Sequence, residues 1–465
     1  MLLYQKKYGA KSHKRNENFI FDKKITIQLP IYNEKYVVER LINSVCKIDY
    51  PTDKLEIQVL DDSTDETVEI TRRLVEQKKN EGINIVHLHR KNREGYKAGA
   101  LNEGLQIASG DFIAIFDADF IPSKDFLIKT LPYFSSDKIG MVQSRWEHSN
   151  EDQSLLTMVQ AFGLNGHFVV EQSVRNKSGF FINFNGTAGV LRKECIEDAG
   201  GWQGDTITED LDLSYRAQLK GWKFIYLKNF STPAELPDEI NSLKAQQFRW
   251  TKGAIETAKK LLAKVWKSKF SLRIKLQSTF HLTNNLVFPF ILLVSILNLP
   301  IIFIKATGNY ENTFVWMSIF ILAVVSSFLL YYSAQSVSRH SWIKKVMLFP
   351  LFLSTSMGLS VNNTRAVVEG FLNKETEFVR TPKYLEAYFR KDKIDNEYIP
   401  RIDFTIAIIE LFLSLYSLVG VVISFYNKDV GAFFFNLFFF IGFGIVSVLS
   451  LKHSFFNKSI FIKND

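Results

Sequence analysis

The sequence predicts an α/β domain with a mostly parallel sheet, followed by an α-helical transmembrane domain. Three observations predict this. Apolar, β-rich runs alternate with helix-length stretches from residue 25 to about residue 228. Long uncharged runs begin at Leu282 and recur toward the end of the chain. Basic residues gather between those runs instead of inside them. A chain of 465 residues has room for two or three such units.

In the first half, Ile25–Pro30, Leu55–Leu60, Ile83–His89 and Phe112–Phe116 read as buried strands, nearly continuous in apolar residues as parallel strands are. Glu34–Cys46, Glu66–Lys79 and Lys97–Ala108 have helix length and period. This alternation gives a parallel sheet with helices on both faces, and ligands of such sheets bind beyond the carboxyl ends of the strands. The polar residues of this half collect at those ends.

In the second half, a helix needs about 20 apolar residues to cross about 30 Å of hydrocarbon. Leu286–Ile304, Phe314–Ser336, Phe404–Tyr426 and Val430–Leu451 qualify. Val346–Thr364 also lacks charge, but Pro350 and several Ser, Thr, Asn and Gly residues interrupt it. With four spans, the basic stretches before residue 282 and over 339–401 share one side, as the positive-inside pattern requires. Val346–Thr364 is therefore read as an interfacial or re-entrant segment. Ala254, Ala258, Leu261, Leu262, Val265 and Trp266 recur at helical spacing against a lysine-rich face, which predicts an amphipathic helix on the membrane surface. Glu410 sits inside an apolar span and should face a polar cavity or a partner.

A net charge of +9 admits nucleic acid, anionic lipid or phosphate-bearing ligands. Lys252, Lys259, Lys260, Lys264, Lys267, Lys269, Arg273 and Lys275 cluster ahead of the first apolar run and favour the bilayer. No zinc-finger spacing or RNA-binding signature points to nucleic acid. Cys46 and Cys195 lack CxxC spacing, so a reducing compartment fits better than a structural disulfide. His87 and His89 share one face of a strand; with no third ligand nearby in sequence they read as ordinary strand residues. Residues 1–24 are rich in Lys and Arg and lack the apolar core of a signal peptide.

The chemistry-bearing residues follow the strands. The second strand runs into Asp61 and Asp62, then Ser63, Thr64 and Asp65; the fourth runs into Asp117-Ala118-Asp119. Two acidic clusters at one end of a sheet repel each other unless a cation or a donor group sits between them. Mg²⁺ or Mn²⁺ suits them, because hard cations take carboxylate and phosphate oxygens. Helix capping accounts for Asp65 or Ser63 alone, but not for the Asp-x-Asp. Thr208-Glu209-Asp210 opens a further helix, with Thr208 as its cap. Gln246, Arg249 and Trp250 then share a helical face: an amide, a planar guanidinium that matches a diphosphate, and a flat ring that packs on a sugar.

In order and spacing, Asp61/Asp62, Asp117/Asp119, Asp210 and Gln246-x-x-Arg249-Trp250 resemble the D, D, D, QxxRW pattern of the processive branch of glycosyltransferase family 2. QLPIYNE (28–34), QVLDDSTD (58–65), GYKAGALNEG (95–104), AIFDADF (114–120), FNGTAGV (184–190), AGGW (199–202), TEDLDL (208–213) and ELP (235–237) look like its cellulose synthase-like A and C group, which includes β-mannan and glucomannan synthases. The resemblance implies a GT-A (Rossmann-like) domain in the cytosol. It also implies an inverting, metal-dependent hexosyltransferase that adds sugar from UDP-glucose or GDP-mannose to a growing β-linked polysaccharide.

Residue by residue, the resemblance makes Asp61 or Asp62, with Tyr32 and Glu34, contacts of the nucleotide base, and brings Lys97 to the diphosphate. Asp117 would hold the nucleotide and, with Asp119, the Mg²⁺ or Mn²⁺; Asp210 would be the general base. Gln246, Arg249 and Trp250 would sit at the mouth of the acceptor site, the first two reaching the donor and Trp250 stacking the terminal sugar. Asn185, Gly186, Thr187 and Glu209 would line the acceptor side. Phe378-Val-Arg-Thr381-Pro-Lys383 resembles the FxxTxK gating motif, with Thr381 and Lys383 as diphosphate ligands. Asn185-Gly-Thr also matches a glycosylation sequon, which a cytosolic location makes accidental. Family members usually carry a span ahead of the catalytic domain, and residues 1–24 hold none.

The expected divisions are a basic segment (1–24), the catalytic domain (25–250), an interfacial helix region (251–281), two spans (282–336), a cytosolic segment with the gating loop (337–403), two more spans (404–451) and a cytosolic tail (452–465). The expected partners are the donor, a glycan or glycolipid acceptor, the bilayer of an inner, plasma or Golgi-type membrane, and a second copy or an accessory export protein. Single-sugar transfer to a lipid, as ceramide and diacylglycerol glucosyltransferases perform, is the alternative activity. A transporter with an inactive domain would not need Asp119, Asp210 and Trp250 intact.

Overall fold

In the computed structural model of the chain, residues 2–8, 13–308, 310–337, 340–375 and 403–461 are described. Seven strands form one sheet: β1 (Ile25–Ile31), β2 (Leu55–Asp61), β3 (Ile85–His89), β4 (Phe112–Ile115), β5 (Ile139–His148), β6 (Gly189–Arg192) and β7 (Lys223–Ala234). Their order is β3-β2-β1-β4-β6-β5-β7. All pairings are parallel except those of β6, which runs antiparallel to β4 and β5. The four strands read from the sequence are thus the parallel half, and β5, β6 and β7 extend it.

Helices α1 (Val38–Val45), α2 (Thr67–Asn80) and α3 (Tyr96–Ile107) connect the first strands. Ile27, Leu29, Ile57 and Val59 pack with Leu41 and Leu74 on one face; Ile113, Ile115 and Leu60 pack with Leu101 and Leu105 on the other. This two-sided burial is why the strands carry apolar runs without alternation. The register pairs Ile31 with Asp61 and Asp61 with His89. It aligns the exits of three strands, and Tyr32, Asp62 and Arg90 emerge at one edge.

The C-terminal part is helical: α4 (Glu209–Leu219), α5 (Ile240–Lys267), α6 (Leu272–Thr283), α7 (Val287–Ala306), α8 (Ile321–Ala334), α9 (Trp342–Gly358), α10 (Ser360–Phe371), α11 (Phe404–Tyr426) and α12 (Val430–Phe461). Among the described residues, four stretches are long and apolar enough to cross a membrane: Leu272–Ala306, Asn312–Val337, Phe404–Tyr426 and Val430–Lys452. Val346–Thr364 falls in α9 and α10. There Phe352 packs on Phe162 of the helix Leu155–Asn165, with ring centroids 5.6 Å apart, so α9 joins the α/β domain to the bundle.

Two features of α5 differ from the sequence reading. Its apolar stripe is covered by protein, because Ala258, Leu261 and Val265 are buried with Phe181, Tyr215 and Leu282. A helix packed on a second protein surface carries the same period as one lying on lipid, so the pattern alone does not separate them. Nor are all the lysines an open basic face. Lys259 Nζ donates to the carbonyls of Gly370 (3.1 Å) and Phe371 (2.6 Å) at the end of α10, and Lys260 pairs with Asp205 (2.7 Å) and Asp212 (2.9 Å). The exposed apolar stripe is Leu272, Leu276 and Phe280 on α6, which runs into the first span.

Within the bundle, α9 and α12 meet backbone to backbone. A Cβ on Gly442 would lie 2.0 Å from the Ser354 carbonyl oxygen, and one on Gly358 would lie 2.3 Å from that of Gly442. Small residues permit this approach, as is usual between membrane helices. Gly442→Leu is expected to destabilise the protein by at least about 1–3 kcal/mol through overpacking. The melting temperature of the purified protein in detergent, compared with that of an exposed-site control such as Val448→Leu, checks this.

Candidate active site

Beyond the strand ends lies a cavity of about 240 Å³. Tyr32 and Glu34 reach it from the loop after β1, Asp62 from the position just past β2, Lys97 from α3, and Asp117 and Asp119 from the loop after β4. Asn185 and Gly186 come from the loop before β6, Glu209 and Asp210 from the first turn of α4, and Gln246, Arg249 and Trp250 from α5. Residues spread over more than 200 positions of sequence therefore share one wall. Seven carboxylates (Glu34, Asp62, Asp117, Asp119, Glu209, Asp210 and Glu235) face three cationic side chains, Arg93, Lys97 and Arg249. That excess, held in hard oxygen donors, fits a divalent cation. Asp117 and Asp119, two residues apart after β4, both line the cavity.

Lys97 is the hub of the charge network. Its Nζ donates to Asp117 Oδ1 (2.5 Å) and to the Gly186 carbonyl (3.0 Å), and lies 3.8 Å from Glu209. Burial alone would lower the ammonium, but Asp117 and Glu209 outweigh it and hold Lys97 above its ordinary value. Gly186 has φ +80°, and a Cβ there would lie 3.0 Å from Asp210 Oδ2, so a glycine is required for both conformation and space.

Asp210 lines the cavity beside Glu209. Burial first, and then the adjacent Glu209 carboxylate, push it up to about 7, against the pull of Lys97. Glu209 is raised for the same first reason. The Leu211 N–H donates to Asp210 Oδ1 (2.7 Å), and the amino-terminal turn of α4 favours carboxylates at this place. Arg249 is lowered to about 10 by burial, with Asp117 and Glu209 opposing, and stays cationic at neutral pH.

Several residues lie elsewhere than expected. Asp62, not Asp61, lines the cavity. Asp61 is fully buried; its Oδ1 accepts from the Ser63 N–H (2.8 Å) and its Oδ2 is 2.7 Å from His87 Nε2. Burial would raise its pKa, but these bonds hold it below the ordinary value. The reason is the pleat: successive residues at a strand end point to opposite sides. Thr187 is buried behind the wall, where its hydroxyl accepts from the Asp117 N–H (2.9 Å). Thr208 precedes α4 but makes no capping hydrogen bond, its hydroxyl instead lying 3.3 Å from that of Thr257. Asp65 accepts from the Thr67 N–H (2.9 Å), a local turn role. Thr381 and Lys383 lie outside the described residues.

The fold also supplies the third ligand that His87 and His89 lacked in sequence. With Asp61 they present ligand atoms within 4.8 Å of one another, a group that could hold a metal ion. The group stands outside the cavity lining, and the His87–Asp61 hydrogen bond already satisfies its buried carboxylate oxygen.

Other site residues went unread in the sequence. The Arg93 guanidinium stacks 3.3 Å from the centroid of the Tyr32 ring. Arg90 grips Asp62 with two bonds, Nε to Oδ1 (2.7 Å) and Nη2 to Oδ2 (2.6 Å). Both precede the Gly-Tyr-Lys at 95–97, and two arginines flanking that motif were the available signal. Trp146 and His148 line the cavity from alternate positions of β5.

A mostly parallel sheet with an Asp-x-Asp beyond one strand end, a Glu-Asp pair opening a helix and a Gln-x-x-Arg-Trp helix across the cavity has the GT-A glycosyltransferase architecture. Residues 23–253 match the family described as Glycosyltransferase like family 2, so the chain carries a domain of that family. It is 41% identical over 266 residues to glucomannan 4-beta-mannosyltransferase 1 of Oryza sativa subsp. japonica, covering 56% of this chain and 50% of that protein. It is 43% identical over 249 residues to glucomannan 4-beta-mannosyltransferase 7 of Arabidopsis thaliana, covering 52% of this chain and 45% of that one. The chain thus spans about half the length of the curated relatives it matches. Among solved structures, the mannosyltransferase PcManGT from Pyrobaculum calidifontis, in complex with GDP-Man and Mn²⁺, shares the fold at a TM-score of 0.54 and 19% identity, over 80% of this chain and 95% of that one.

Proposed function

We propose that the chain is a membrane-bound inverting hexosyltransferase that extends a β-linked polysaccharide from a nucleotide-sugar donor. The observation that carries this reading is the single cavity joining Asp117/Asp119, Glu209/Asp210 and Gln246/Arg249/Trp250. The names of the curated relatives support mannosyl transfer, hence GDP-mannose as the first donor to try. Basic stretches on one side of the four candidate spans support a catalytic domain in the cytosol.

In this reading Asp210 takes the proton of the acceptor hydroxyl. That oxygen bonds to the anomeric carbon as the bond from that carbon to the diphosphate breaks, and the nucleoside diphosphate leaves with the electron pair. One base on one face gives a single displacement, so an α-linked donor yields a β-linked product. Arg249 suits the diphosphate by its bidentate fork and Lys97 by the point charge of its ammonium. Trp250 stacks the acceptor sugar. A Mg²⁺ or Mn²⁺ held by Asp117 and Asp119 supplies charge stabilisation for the departing diphosphate.

Membranes containing the chain, given radiolabelled GDP-mannose or UDP-glucose, are expected to build a polymer cleaved by an endo-β-mannanase or β-glucanase. Label recovered only in an organic lipid extract overturns the polymer assignment in favour of a glycolipid acceptor. The pH dependence follows from Asp210. The base works only when ionised, and its value is raised toward 7, so kcat/KM is expected to fall about tenfold per unit as pH drops below that value. An acid limb near pH 4 contradicts the assignment.

A further inference from the structure

A buried ion pair links the bundle to α5, the helix that carries Gln246, Arg249 and Trp250. Lys244 Nζ on α5 lies 2.9 Å from Glu410 Oε2 on α11, with the Glu410 side chain fully buried. Ser450 Oγ on α12 is 3.4 Å from the same ammonium. Asn362 Nδ2 on α10 donates to the Lys244 carbonyl (3.0 Å), so backbone as well as side chain is held. Leu243 packs beside it with Leu359 and Val446. Glu410 Oε1 accepts no hydrogen bond among the described residues.

A buried ion pair is poor value as mere glue, since apolar residues of the same shape stabilise as well or better. Its distinct contribution is register: a charge accepts only one position for its partner. Here the register concerns the helix that carries Gln246, Arg249 and Trp250 into the cavity. Trp250 is six residues beyond Lys244, about 9 Å along the same helix. A slip of α5 against the spans by one turn would carry Trp250 out of the cavity.

We propose that Lys244 and Glu410 are positioning residues that fix the acceptor-side end of α5 to the membrane bundle, and so decide whether the activated sugar passes to the acceptor or to water. This rests on the glycosyltransferase reading above for its catalytic consequence, but not for the tether itself. The test uses the full chain in lipid nanodiscs with four changes: Lys244→Met, Glu410→Gln, the apolar pair Lys244→Met/Glu410→Leu, and the swap Lys244→Glu/Glu410→Lys. Deuterium uptake of residues 240–250 reads the tether. Label partition between product and free sugar reads its consequence, with nucleotide binding as the control.

Either single change is expected to raise uptake over 240–250 and to cut transfer at least tenfold, with nucleotide Kd within twofold. The fraction of consumed donor released as free sugar rises. The apolar pair, which keeps the packing if a single variant fails to fold, remains poor in transfer, and the swap recovers part of it. Wild-type uptake and partition in the apolar pair overturn the proposal. An unmodified chain that consumes no nucleotide sugar refutes the glycosyltransferase reading and the transfer consequence together, and the uptake result then still decides whether the tether exists.

Discussion

Asp210→Asn is expected to lower turnover by about 10²–10⁴-fold, the range that a positioned general base supplies, while nucleotide binding is retained. Asn keeps the shape of the side chain and can still accept from the Leu211 N–H, which lies 2.7 Å from Asp210 Oδ1. What it loses is the ability to take a proton. The same change is expected to raise the melting temperature. Asp210 has a folded value near 7 against an ordinary 3.8, so its ionisation opposes folding. The folded state binds more protons than the unfolded state between those values, and stability falls as pH rises through that window. The gain from Asn is therefore complete above about pH 7 and vanishes below about pH 4. Loss of activity with loss of stability would point to collapse of α4 instead of loss of a base.

Asp119→Asn is expected to reduce turnover by about 10²–10⁴-fold, the several kcal/mol that a divalent cation contributes to a leaving diphosphate. Chelation of the wild-type protein should produce a loss of the same order, restored by Mn²⁺ or Mg²⁺. The two treatments should not add, because both remove one contribution. Asp117 answers differently. Its carboxylate also neutralises Lys97 at 2.5 Å, so Asp117→Asn removes that ion pair, leaving Lys97 to Gly186 and Glu209, and perturbs donor binding as well. A His87→Ala protein separates the second group of metal-type ligands. It should keep the metal response, since Asp61, His87 and His89 stand outside the cavity.

How far the sequence reaches is clear from particular residues. The parallel strands β1 to β4 announce themselves because both faces are buried, and their exits carry the acidic residues. β6 is antiparallel and, with Gly189 and Arg192 among its four residues, lacks the unbroken apolar run of the equally short β4, yet it places Gly186 beside Asp210. Which of Asp61 and Asp62 enters the cavity depends on the pleat at the last residue of β2, a detail finer than strand boundaries read from composition. The period of α5 is plain, but a stripe such as Ala258, Leu261 and Val265 has the same spacing whether Tyr215 or lipid covers it. Glu410 was recognisable as needing a partner because charge inside an apolar span is costly. That its partner is Lys244, 166 residues earlier, only the fold reveals.

The most direct test of the inverting transfer is the anomeric configuration of the first sugar added from an α-linked nucleotide sugar, read by NMR on the isolated product. A β-linkage formed by the wild-type chain and absent from the Asp210→Asn protein is the expected result. An α-linkage, or a β-linkage formed at an undiminished rate by Asp210→Asn, would contradict it.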